Sequence, residues 1–158
     1  MKKLSMLITG LTLATGVLAG AADQLSVQDP YVRLAPPNAP ATGAFMVIRN
    51  AGDKDVKVLK ADNPVSRVTE LHTHLNEGGV MKMRPVAAIE VKAKGEAVLK
   101  PGGLHVMMID LKAPMKEGDI VPITLTLDDG STKQVDAKVV RPMAAPAPAP
   151  MPMMEHKH

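Results

Sequence analysis

The chain has 158 residues, 46% of them hydrophobic and 22% charged, with a formal net charge of +3. That is material for one domain. It has no cysteine, no Trp, one Tyr and one Phe, yet 12 Met. These counts exclude a disulfide scaffold, thiolate catalysis, thiolate-held zinc or iron–sulfur centres and a blue-copper site. They also leave no aromatic surface for stacking bases and too little positive charge for a nucleic-acid footprint, so no nucleic-acid partner is expected.

In chain order, residues 1–21 read as a cleavable export signal. Lys2 and Lys3 precede the apolar run Leu4–Leu18, and Ala19-Gly20-Ala21 supplies an A-x-A cleavage site. The apolar run is short for a spanning helix, so no stable membrane insertion is expected after cleavage. The expected location is the periplasm.

Residues 22–141 show short apolar or alternating runs rich in Val, Ile and Leu. They are Tyr31–Leu34, Ala44–Ile48, Val56–Leu59, Val68–His74, Val80–Val86, Ala97–Leu99, His105–Leu111, Ile120–Leu127 and Gln134–Val140. Turn clusters such as Asn76-Glu77-Gly78-Gly79, Pro101-Gly102-Gly103 and Asp128-Asp129-Gly130 separate them. Many short strands at this spacing predict an all-β, antiparallel sandwich or barrel, with no sustained helical period. Its core must be aliphatic, with Met46 and Met108 as fillers and Met115 covering a loop.

Residues 142–158 differ in composition, being dominated by Pro, Ala, Met and His. Such a stretch cannot build a core and predicts a flexible tail. In polyproline form its nine-residue spacer would reach about 28 Å, far enough to return over the domain. Met151, Met153, Met154, His156 and His158 gather thioether and imidazole donors at the end of the tail, a donor set that makes it a candidate site for Cu(II), Cu(I) or both.

The chemistry-bearing residues of the domain fall on three predicted strands. Residues two apart share a strand face, so His72 pairs with His74, Met81 with Met83, and His105 with Met107. Imidazole and thioether together form a neutral, soft donor set. It suits Cu(I) and competes poorly for Mg²⁺, Ca²⁺ or Mn²⁺. No nucleophile elbow is present. A zinc hydrolase built on His72, His74, His105 and Glu70 would leave the sulfur unexplained. No catalytic residues are assigned and no enzyme is expected. Rapid electron transfer is excluded with the missing Cys, whereas copper storage would use the same ligands as copper delivery.

The spacing of His72, ten residues, Met83, twenty-one residues, His105, one residue, Met107 resembles the signature of the periplasmic CuA-site copper chaperones, the PCuAC family. The flanking segments Gly43–Asn50, Met81–Val86, Leu99–Met108 and Gly118–Pro122 share the likeness, which spans about residues 27–140. The resemblance implies a cupredoxin-like β-sandwich binding Cu(I) at His72, Met83, His105 and Met107; some relatives place Met beside the first His, where this chain has Thr73, with His74 and Met81 as candidate auxiliary donors. It further implies copper supply to the binuclear copper centre of a haem–copper oxidase; the expected partner is a copper-accepting oxidase subunit or another periplasmic copper chaperone, and the expected state is a monomer. Storage or resistance without an oxidase acceptor is the alternative.

Overall fold

The computed structural model describes residues 20–142. Residues 1–19 and 143–158, which make up most of the expected export signal (1–21) and of the expected tail (142–158), lie outside the described residues. One helical turn, α1 (Ala21–Gln24), opens the described chain. Ten strands follow: β1 (Leu25–Arg33), β2 (Ala41–Asn50), β3 (Val56–Asp62), β4 (Ser66–Glu77), β5 (Val80–Pro85), β6 (Ile89–Val91), β7 (Glu96–Leu99), β8 (His105–Leu111), β9 (Ile120–Leu127) and β10 (Thr132–Val140).

Hydrogen bonding links them in the order β5-β4-β8-β2-β1-β10-β9-β3-β6, with β7 also on β2. The predicted all-β sandwich is observed, and every predicted run falls on a strand. Two departures are physical. β1 and β10 run parallel, joining chain segments about a hundred residues apart. β6 is only three residues long, too short for its alternation to show in the sequence.

Alternation decides what each strand buries. Ala44, Met46 and Ile48 of β2, Val106 and Met108 of β8, Ile123, Leu125 and Leu127 of β9, and Ala137 and Val139 of β10 turn inward. The core is almost wholly aliphatic, as the composition demands, with Met46 and Met108 inside it. Met115 packs partly buried against its edge.

β1 carries a bulge between Gln28 and Tyr31, where Asp29 takes φ 48° and Pro30 donates no hydrogen bond. The extra residue reverses the alternation, so Leu25 and Val32 both face the core. Tyr31 and Arg33 are thereby sent to the outer face of β2. Phe45 is also on that outer face and belongs to no part of the central core, although it is 4% exposed. Both aromatic residues therefore stand on the same surface as the histidines.

Candidate metal centre

The site is built by register on the outer face of β5, β4, β8 and β2. Gly78 and Gly79, at φ 63° and 84°, close a two-residue hairpin between β4 and β5. Positive φ at both central positions is what such a turn requires. Asn76 Oδ1 accepts from the Gly79 amide at 2.8 Å. On the opposite face, Arg84 Nε and Nη2 donate to the two Glu77 carboxylate oxygens at 2.9 Å each. The turn fixes a register that sets His74 directly opposite Met83 and Asn76 opposite Met81. Across the other edge of β4, His72 faces His105 and Glu70 faces Met107, which also faces Gly43 of β2.

The imidazoles consequently cluster. The His105 ring centroid lies 5.8 Å from that of His72 and 5.2 Å from that of His74. Two imidazoles sharing one tetrahedral ion, each nitrogen about 2.0 Å from it, would have centroids roughly 5 Å apart. Both separations are near that value. A cavity of about 350 Å³ opens beside them, and His74, Met83, His105 and Met107 all line it. His72 does not; it sits next to this cavity with 12% of its side chain exposed. Met83 and Met81, on the edge strand, are 45% and 55% exposed.

Hydrogen bonds set which ring nitrogens carry lone pairs. His105 Nδ1 lies 2.9 Å from the Gly103 carbonyl oxygen; a carbonyl only accepts, so Nδ1 donates and Nε2 keeps its lone pair. His72 Nε2 lies 2.6 Å from Glu70 Oε2, so it donates and Nδ1 keeps the lone pair. That Nδ1 is buried and has no partner, as is His74 Nδ1. Buried nitrogens left unpaired are costly, and a soft cation would satisfy them. The carboxylate behind His72 and the carbonyl behind His105 orient these rings as outer partners orient metal-bound histidines. Among the described residues, no three His, Cys, Asp or Glu side chains are placed to hold a metal ion by themselves. The cavity offers sulfur as well as nitrogen, and this neutral donor set fits a soft, thiophilic cation.

The walls come from residues that the motif spacing does not reveal. Phe45 stacks between Tyr31 (centroids 5.2 Å apart) and His105 (6.0 Å apart), with the Arg33 guanidinium 5.4 Å from its centroid. The ring lies over Gly43, where a Cβ would sit 3.0 Å from Phe45 Cζ and 3.8 Å from His105 Cδ2. His105 is 3% exposed. Its burial pushes the imidazole below its ordinary 6.5, against the Gly103 hydrogen bond and helped by His74, His72 and Arg33 nearby.

The unfolded chain thus takes up a proton near pH 6.5 that folded His105 resists, and the metal-free protein loses stability as pH falls below that value. Denaturant titrations at pH 7.5 and pH 5.5 should show the loss, and His105→Gln should flatten it. An equal slope in the two proteins would assign the dependence to other groups.

Residues 25–139 match the LpqE-like family. The chain is 30% identical over 119 residues to a Leifsonia xyli subsp. xyli (strain CTCB07) protein carrying the lipoprotein name Lxx21020, covering 75% of this chain and 70% of that one. The solution structure of apo-DR1885 from Deinococcus radiodurans is 31% identical with a TM-score of 0.60, over 90% of this chain and 95% of that one. The copper-bound PCuAC domain from PmoF2 has the same fold, with a TM-score of 0.65 at 19% identity over 78% of this chain and 97% of that one. The chain belongs to the LpqE-like family, the family of the PCuAC domains.

Proposed function

We propose that this protein is a periplasmic copper chaperone, exported by its cleaved N-terminal segment, that carries Cu(I) as cargo on His72, Met83, His105 and Met107. The observation that carries this reading is the pairing of two anchored imidazoles with two thioethers. His72 and His105 face each other across β4 and β8 with Nδ1 and Nε2 left as lone-pair donors. Met83 and Met107 line the cavity that His105 also lines, with His72 just outside it. The copper-bound PmoF2 domain and the Cu(I) form of DR1885, the latter 34% identical, lend support from relatives.

Two neutral imidazoles and two neutral thioethers leave bound Cu(I) with a single net charge, and no thiolate is needed where thiols oxidise. Glu70 and the Gly103 carbonyl hold the two rings in place. The exposed Met83 on the edge strand is the donor most open to replacement by a partner. Release proceeds by stepwise exchange of ligands, the weaker thioether leaving first. The reading is non-enzymatic. The acceptor is a CuA-type centre of a respiratory oxidase or a further copper chaperone, and the carrier works as a monomer.

Deleting the gene tests delivery against storage. Loss of oxidase activity at low copper supports delivery, whereas copper sensitivity with normal respiration overturns it in favour of buffering. Removing residues 142–158, with Met151, Met153, Met154, His156 and His158, should lower total copper uptake yet leave one tight Cu(I) site. Titration with a competing Cu(I) chelator checks this; loss of all tight binding would move the principal site to the tail.

A further inference from the structure

We infer that His74 is a gateway donor: it binds copper transiently as the ion passes between the open cavity and the anchored pair His72 and His105. This rests on the copper reading above and adds a residue that the four-ligand spacing leaves out.

Three imidazoles share this face, but they are not held alike. His72 is tied to Glu70 at 2.6 Å and His105 to the Gly103 carbonyl at 2.9 Å. Among the described residues no hydrogen bond anchors the His74 ring, and its Nδ1 is buried without a partner. An anchored ring keeps a fixed donor direction, which suits holding an ion. A ring free to turn about its side-chain torsions can follow an ion as it moves. His74 is also on the right side of the site. It lines the solvent-open cavity together with Met83, Met107 and His105, whereas His72 does not.

Register completes the argument. His74 sits directly opposite Met83 on the edge strand, and its ring is closer to His105 than the His72 ring is. An incoming ion can therefore meet Met83 and His74 first. It then exchanges His74 for His72 while His105 stays bound. Donor replaces donor, so no electron or proton need be transferred in the step. A ligand used only in passage lowers the barrier in both directions and leaves the end states nearly unchanged.

The test compares wild-type protein, His74→Ala, His74→Met and His72→Ala, each loaded with Cu(I). Stopped-flow mixing with excess bidentate Cu(I) chelator reads release, and mixing of apo protein with a weak Cu(I) complex reads loading. His74→Ala should slow both rates at least fivefold while Kd stays within threefold. His74→Met, which restores a soft donor, should recover most of the rate. His72→Ala should instead weaken Kd at least tenfold. Unchanged rates in His74→Ala overturn the inference, as does a Kd weakened more than tenfold, which would make His74 a resident ligand. The thermal midpoint of each apo variant separates these effects from misfolding. If wild-type protein itself binds no Cu(I), the copper reading fails, not this inference alone.

Discussion

Met108→Ala is expected to destabilise the fold by about 2–5 kcal/mol, the range for truncating a large buried side chain. Met107→Ala should cost no more than about 1 kcal/mol, as for a residue outside the core. The two residues are adjacent in β8, and alternation sends them to opposite faces. Met108 is fully buried among the aliphatic side chains that fill the sandwich, where its loss leaves a cavity. Met107 lines the outer cavity beside His105. The copper effects should run the other way. Met107→Ala removes a proposed thioether and should weaken Cu(I) binding by about tenfold or more, since even the loss of a group that merely supports a ligand costs 10–100-fold. Met108→Ala should leave Cu(I) affinity within a few-fold while the protein remains folded. Urea unfolding and chelator competition on both variants decide the matter; swapped results would mean that the assignment of faces is wrong.

Gly43→Val should damage both the fold and the site. A Cβ at this position would already sit 3.0 Å from Phe45 Cζ and 3.4 Å from Cε2. Valine adds two methyl groups to that contact. Phe45 is held between Tyr31 and His105, with Arg33 over its ring. Its displacement is expected to press on these neighbours, His105 among them. Overpacking of this kind costs typically about 1–3 kcal/mol. Displacing His105 should break its hydrogen bond to the Gly103 carbonyl, with Cu(I) affinity reduced at least tenfold. Phe45→Leu in the Gly43→Val background should restore part of both losses, because it removes the ring that the new methyl groups strike. Double-variant additivity, measured by the same unfolding and chelator titrations, would show that Gly43 and Phe45 do not act together.

The parts of this account legible in the sequence are the local ones. Period-two alternation separates Met107 from Met108 and unites His105 with Met107 without any tertiary information. The Gly78-Gly79 pair marks the hairpin whose register brings Met83 to β4. The parts that were hidden are non-local or interrupted. Asp29-Pro30 breaks the pattern of β1, so its first half does not read as strand, and the bulge reverses which residues face inward. The parallel pairing of Tyr31 with Lys138 joins opposite ends of the domain, beyond any local signal. Ile89–Val91 is too short to show a period.

The candidate site was legible as a set of donor types, but not in its supports. Nothing in the spacing reveals that Glu70 holds His72, that the Gly103 carbonyl selects the His105 tautomer, or that the lone Phe roofs Gly43 instead of filling the core. The aromatic poverty of the chain leaves the core aliphatic. It also means that both available rings are committed to the outer face beside the histidines.

In the proposed site two imidazole nitrogens and two thioether sulfurs bind one cuprous ion. X-ray absorption on the Cu(I)-loaded protein lacking residues 142–158 tests it most directly, because the tail donors are then absent. Two nitrogen and two sulfur neighbours per copper are expected. One sulfur or none, or a shell of oxygen and nitrogen alone, would contradict it.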